Sequence, residues 1–300
     1  MMSDLQTQAI DNNRRGFLGF GSATRAIAAM STVAVAAAAP LGAEAEAASS
    51  SVGDTDILNF ALNLEYLEAE YYLRGAVGQT LDDLFRTNLG GQVRGGRRVA
   101  FSSPVHEGIM KNIAANEYQH VAYLRSVNGA KAVARPTIDF DAGFAGVAQA
   151  AGLPGFDPFA NEMHFFLGAM LFEDVGVTAY KGAARNIRNR RILESAAGIL
   201  AAEAYHAGSI RTIIYKKGEE WKRAAGAISE MRDTLDGSQD LDQPPATIGD
   251  RSNIVPLNEN GIAYGRTPNH VLNIVYENPA SGIVSGGFFP EGLTGKIRST

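Results

Sequence analysis

The chain has 300 residues, 45% of them hydrophobic and 20% charged. That is enough for one large domain or two small ones around a well-buried core, and it excludes a disordered or low-complexity protein. Lys and Arg total 27 against 32 Asp and Glu, a formal charge of −5, and nothing in that balance calls for a nucleic acid or an anionic membrane as partner. Cysteine is absent, which removes thiol catalysis, disulfides, thiolate zinc sites and iron–sulfur clusters together, so any metal must be held by His, Asp, Glu or Tyr.

Residues 1–47 read as an address. Asn13-Arg14-Arg15-Gly16-Phe17-Leu18-Gly19 precedes an alanine-heavy apolar run, Ile27 to Ala39, and then Ala43-Glu44-Ala45-Glu46-Ala47, which has the A-x-A form of a cleavage site. Paired arginines followed by Gly-Phe-Leu resemble a twin-arginine signal, with Asn13 and Gly19 departing from the usual pattern. Arg25 and Pro40 bracket a run too short for a permanent membrane anchor. The expectation is an exported, periplasmic protein.

Beyond residue 50 the sequence predicts helices separated by turn chemistry. Asp54 or Thr55 is placed to cap a first long helix reaching about Arg74; Ser103-Pro104 opens a second that Asn128-Gly129 ends; Asp157-Pro158 opens a third; a fourth runs from Arg190 to Gly218. The connection Gly75–Ser102 is glycine-rich with one short turn at Leu81–Phe85, and residues 130–156 form a second crossover with a short helix at Ala142–Ala150. The expected fold is therefore all-α: a four-helix bundle over 54–218 with long crossovers. Residues 219–235 continue as helix, and past Gly237 proline, glycine and asparagine leave an irregular C-terminal extension that wraps the bundle, with one capped short helix from Thr267-Pro268 to Tyr276.

Laid out at 100° per residue, each long helix carries a glutamate inside its apolar stripe. Glu65 lies in line with Leu58, Leu62, Ala69 and Tyr72; Glu117 sits among Met110, Ile113, Ala114, Val121 and Leu124; Glu173 among Phe166, Ala169, Met170 and Val177; Glu203 among Ala196, Ile199, Ala207 and Ile210. Ionised carboxylates in hydrocarbon are costly unless paired or bound to metal. Arg74, Lys111, Arg125, Lys181 and Arg211 project roughly 80° or more from their helix's glutamate, so no cation on the same helix compensates it. What shares the face is histidine: His120 follows Glu117, and His206 follows Glu203, each at the i, i+3 spacing that puts both side chains over one turn.

The other two glutamates each have a tyrosine seven residues on, Tyr72 after Glu65 and Tyr180 after Glu173. The order Glu-x6-Tyr, Glu-x-x-His, repeated once, reads as a duplicated helix pair related by a pseudo-twofold axis. Two helices giving one Glu each and two giving Glu-x-x-His are the makings of a di-iron or di-manganese carboxylate site. Glu65, Glu117, His120, Glu173, Glu203 and His206 are thus the candidate ligands for two divalent ions, Fe or Mn, with charge balanced by four carboxylates and neutral imidazoles. Tyr72 and Tyr180 stand either as core aromatics or as donors that orient ligands or carry a radical.

At these residues the chain resembles the ferritin-like superfamily. The phrase Leu62-Asn63-Leu64-Glu65-Tyr66-Leu67-Glu68-Ala69-Glu70-Tyr71-Tyr72, with Arg266-Thr267-Pro268, Val271-Leu272, Ile274-Val275-Tyr276 and Gly286-Gly287-Phe288-Phe289-Pro290, is similar to the desiccation-related, ferritin-like domain family. The resemblance spans roughly residues 54–295. It implies a ferritin-like four-helix bundle, the six ligands above, and a part in stress protection. Three activities follow as alternatives: a peroxide- or dioxygen-consuming di-metal oxidoreductase, a protein that sequesters metal without turnover, or a structural desiccation protectant. The small-molecule oxidant is the expected partner of the first, a homo-oligomer is compatible with all three, and the loops and tail argue against a storage cage.

Of the remaining residues, Glu68 reads as an extra ligand or as a residue at the site's edge or surface, and Glu70, on the opposite face, as solvated. His106 lies roughly 16 Å along the axis from Glu117, too far to join it. His164 and His270 read as partly exposed histidines. Arg185, Arg188, Arg190 and Arg191 read as a solvated face, with an anion site as the alternative.

Overall fold

Side chains that satisfy the first free amides set where each helix begins. The computed structural model describes residues 52–237 and 239–300; the expected signal segment lies outside them. Helix α1 spans Asp54–Tyr72, with Gly53 as its cap, the Gly53 N–H donating to Asp56 Oδ2 at 2.9 Å. Asp54, expected as a cap, instead accepts the N–H groups of Arg188 and Asn189 at 2.9 and 2.8 Å, tying the start of α1 to a distant turn. One π turn, Leu73–Val77, prolongs α1, and Gly78 ends it in the left-handed region at φ 77°.

Helix α2 is Leu81–Phe85, capped by Thr80, and α3 is Pro104–Asn128, opened by Ser103 and stopped at Gly129. Helix α4, Phe140–Ala150, begins ahead of the expected Ala142 because Asp139 caps it. Helix α5, Glu162–Ala184, begins later than Asp157-Pro158 suggested. Asn161 Oδ1 takes the amides of Met163 and His164 at 3.0 Å each, while Asp157 serves the turn before it, accepting from Phe159 and pairing with Arg97. Helices α6, Arg190–Lys216, α7, Glu219–Asp236, and α8, Pro268–Tyr276, follow. Among the described residues no helix is long and apolar enough to cross a membrane.

The fold is all-α. Helix α1 packs most extensively on α3, and α5 on α6, so the bundle is built from two helix pairs. Short strands decorate it: β1, Val93–Arg94, pairs in parallel with β2, Ile138–Asp139, joining the two crossovers, and β3, Ala246–Ile248, pairs antiparallel with β4, Arg251–Asn253. Because crossovers and tail close over it, α1 is buried on nearly every face. Glu70 is accordingly not solvated: it is fully buried, paired with Arg74 at 3.0 Å and with Arg135 from the second crossover.

The C-terminal extension is fixed by an ionic core. Asp174 accepts from Arg211 at 2.8 Å and Arg232 at 3.0 Å. Arg232 also reaches Asp242 at 2.8 Å, and Arg266 pairs with Asp236 at 2.6 Å and Asp242 at 2.7 Å. All three guanidinium groups are sealed from solvent. The Arg266 backbone lies on α5 where only glycine fits, since a Cβ on Gly182 would stand 1.9 Å from the Arg266 carbonyl oxygen. Removing one partner of a buried pair strands the other charge, at about 3–5 kcal/mol. Arg266→Met is therefore expected to lower the unfolding free energy by about that amount, read from urea denaturation of the full chain.

Candidate metal centre

Glu65 on α1, Glu117 on α3, Glu173 on α5 and Glu203 on α6 all point into the bundle, each with no exposed surface. No Lys or Arg pairs with any of them among the described residues. His120 and His206 lie on the same faces one turn after Glu117 and Glu203, so six side chains from four helices meet at one point. Their donor atoms form two groups, each within 4.8 Å: Glu65, Glu117, His120 and Glu203 in one, Glu117, Glu173, Glu203 and His206 in the other. Glu117 and Glu203 belong to both.

Both imidazoles turn Nδ1 inward. His120 Nδ1 stands 3.2 Å from Glu65 Oε2, 3.3 Å from Glu117 Oε2 and 3.4 Å from Glu203 Oε1. His206 Nδ1 stands 3.0 Å from Glu117 Oε1 and 3.4 Å from Glu173 Oε2, and the rings lie near-parallel with centroids 6.2 Å apart. Glu117 Oε1, Glu173 Oε2, both Glu203 oxygens and His206 Nδ1 are buried without an aligned hydrogen bond to a protein group. Buried polar atoms in that condition are costly, and convergent oxygens and imidazole nitrogens are the donor set that iron, manganese or zinc accepts. The residues fit a pair of metal ions.

The tyrosines bind across the bundle. Tyr72 of α1 donates to Glu173 Oε1 of α5 at 2.6 Å, and Tyr180 of α5 donates to Glu65 Oε1 of α1 at 2.5 Å. Burial, then the adjacent carboxylate, raises both phenols well above their ordinary values, so each stays a donor.

Protons are tightly held among the protein groups themselves. Burial disfavours the charged form of His206, but Glu173 and Glu117 outweigh it and hold the imidazole up at about 11. The same balance, with Glu117 and Glu65, raises His120. Burial raises Glu117 too, yet the two histidines pull it below the usual carboxylate range. Burial lifts Glu65 to about 7 against His120, and burial plus neighbouring carboxylates push Glu203 well up.

Of the places expected of it, Glu68 takes the one at the site's edge. It is 4% exposed, so not at the surface, and it belongs to neither donor group. It lies beside Glu203: a Cβ on Gly176 would stand 2.5 Å from Glu203 Oε2 and 3.2 Å from Glu68 Oε1, so the two carboxyl groups share the space that this glycine leaves. Burial, then Glu203 and the three other carboxylates, raises it well above its ordinary value, which favours its neutral form behind the centre. The one sequence signal for it was its spacing from Glu65, a single helical turn. His106 is remote and pairs with Glu162 at 3.3 Å. His164 and His270 are half-buried, and the four arginines near residue 188 are exposed.

The chain is similar to a ferritin-like catalase, Nec2, of Nesocodon mauritianus, 29% identical over 81% of this chain and 84% of that one. It is also similar to the desiccation-related protein PCC13-62 of Craterostigma plantagineum, 30% identical over 82% of this chain and 84% of the relative. No solved structure matches it. The ferritin-like domain model matches residues 53–216, from the cap of α1 through the last residue of α6, and the chain belongs to that family.

Proposed function

We propose that this protein is an exported di-metal oxidoreductase that consumes peroxide, converting hydrogen peroxide to water and dioxygen as part of protection against oxidative or drying stress. One observation carries the reading: two donor groups, each of three carboxylates and one imidazole, share Glu117 and Glu203, so the six side chains together would hold two ions. The name ferritin-like catalase on one relative supports the reaction, the name desiccation-related protein on the other supports the setting, and the paired arginines at Arg14 and Arg15 support export.

Glu65 and His120 would help hold one ion, Glu173 and His206 the other, with Glu117 and Glu203 available to both. A bound iron or manganese pair supplies single-electron changes at two adjacent centres, which suits a substrate reduced or oxidised by two electrons. The protein does the rest. Tyr72 and Tyr180 fix the outer oxygens of Glu173 and Glu65, leaving the remaining oxygens to face inward. Glu68, held neutral, is a proton donor next to Glu203. The apolar stripes around the four glutamates exclude bulk water and strengthen every charge interaction inside.

The protein isolated from its native compartment is expected to carry about two metal ions per chain by elemental analysis, with a sharp fall in Glu173→Ala and His206→Ala. Peroxide consumption, followed by oxygen release, should drop by more than about 100-fold in both, since losing only the hydrogen-bond partner of a metal ligand costs about 10–100-fold. Tight binding without oxygen release would favour sequestration, and normal metal content in both variants would reject the ligand set. Metal must also displace protons from His206, held up at about 11, and from Glu203. Raising the pH weakens that competition, so apparent affinity should rise by roughly tenfold per pH unit for each proton released, checked by titration in weakly buffered solution with a pH electrode.

A further inference from the structure

The two nitrogens of His206 face different surroundings. Nδ1 faces Glu117 and Glu173 inside the donor group, while Nε2 lies 3.1 Å from Asn116 Oδ1. A neutral imidazole has one N–H and one lone pair, and the partner of one nitrogen decides the state of the other. An amide oxygen at Nε2 keeps a proton there, so the proton given up when a cation binds is the one on Nδ1, whose lone pair is then free for it. The opposite tautomer would set a lone pair against Oδ1 and aim an N–H at the place a cation would occupy, unfavourable at both ends.

Asn116 is suited to this by its position. It precedes Glu117 on α3, about 100° round the helix from it, so it leaves the core stripe and reaches the rim. There it helps line an open cleft of about 550 Å³ between α3 and α6, with Asn112, Tyr205, His206 and Ser209. His206 is 6% exposed and Asn116 half-buried. Water entering the cleft would serve Nε2 as donor or acceptor alike; the amide oxygen accepts only.

We propose that Asn116 is a positioning residue of the metal centre, its Oδ1 holding His206 in the tautomer that presents the Nδ1 lone pair to the second donor group. This rests on the reading of the centre as a metal site. The amide does not touch the ions or the oxidant; it acts through His206, as hydrogen-bond partners of metal-bound imidazoles do.

The test uses the full chain and manganese(II), with affinities measured by competition against a fluorescent chelator. In Asn116→Leu, which keeps the size of the side chain but has no acceptor, one of the two manganese affinities should fall by about 10–100-fold. Asn116→Asp, which keeps an acceptor and no donor, should bind within about threefold of wild type or more tightly. Thermal unfolding of the three proteins before manganese is added should coincide, which a merely structural role of Asn116 would not give; should the leucine variant fail to fold, Asn116→Ala carries the same expectation. Leucine or alanine variants binding as tightly as wild type, or an aspartate variant as weak as the leucine one, would overturn the assignment while leaving the metal centre standing. A wild-type protein that takes up no manganese would overturn the metal centre and the assignment with it.

Discussion

Four carboxyl groups with no exposed surface stand within reach of one another at the middle of the bundle, and the arrangement of the molecule answers to their cost. Burying even one uncompensated carboxylate is expensive, and placing several together adds repulsion. The compensation on offer is of three kinds: two imidazoles that face inward, two phenols that donate from behind, and protons or cations at the shared oxygens. Among the described residues, arginine takes no part at this point. The buried guanidinium groups of Arg211, Arg232 and Arg266 are engaged one layer away with Asp174, Asp236 and Asp242. Asp174 adjoins Glu173 in sequence, so α5 carries a carboxyl that meets arginine beside one that does not.

Rigid packing keeps the donors in place. Tyr71, next to Tyr72, stacks on Phe165 with centroids 4.5 Å apart, and its hydroxyl donates to the Phe165 carbonyl at 2.7 Å. Gly75 and Gly168 admit that contact, since a Cβ at either would stand 2.1 Å from the Phe165 ring or 2.4 Å from the Tyr71 hydroxyl. Phe140, Phe144, Phe159 and Phe172 close the group around Tyr71. A centre whose donors sit on such helices keeps its geometry better than one built on loops.

The long helices were legible because their stripes repeat at helical spacing, and the six inward side chains were legible because a glutamate in such a stripe contradicts its surroundings. What stayed hidden depends on partners far away in the chain. Glu70 looked solvated because α1 alone gives it an outer face; Arg135, brought over by the second crossover, makes that face an interior. Asp174 and Arg266 carry no local signal of their partnership, and Asn161 outranked Asp157-Pro158 as a cap only because Asp157 was already engaged by Phe159 and Arg97. Glu68 was ambiguous for a related reason: the groups that surround it, Glu203 and Gly176 among them, lie on other helices.

The tyrosine bonds have a corollary for how the bundle is put together. Tyr72 lies in the first helix pair and steadies a glutamate of the second, while Tyr180 returns the favour in the opposite direction. Neither half of the chain contains both a ligand and the hydroxyl that restrains it. Each is the template for the other, so a fragment carrying α1 and α3 alone would lack the phenol that restrains Glu65.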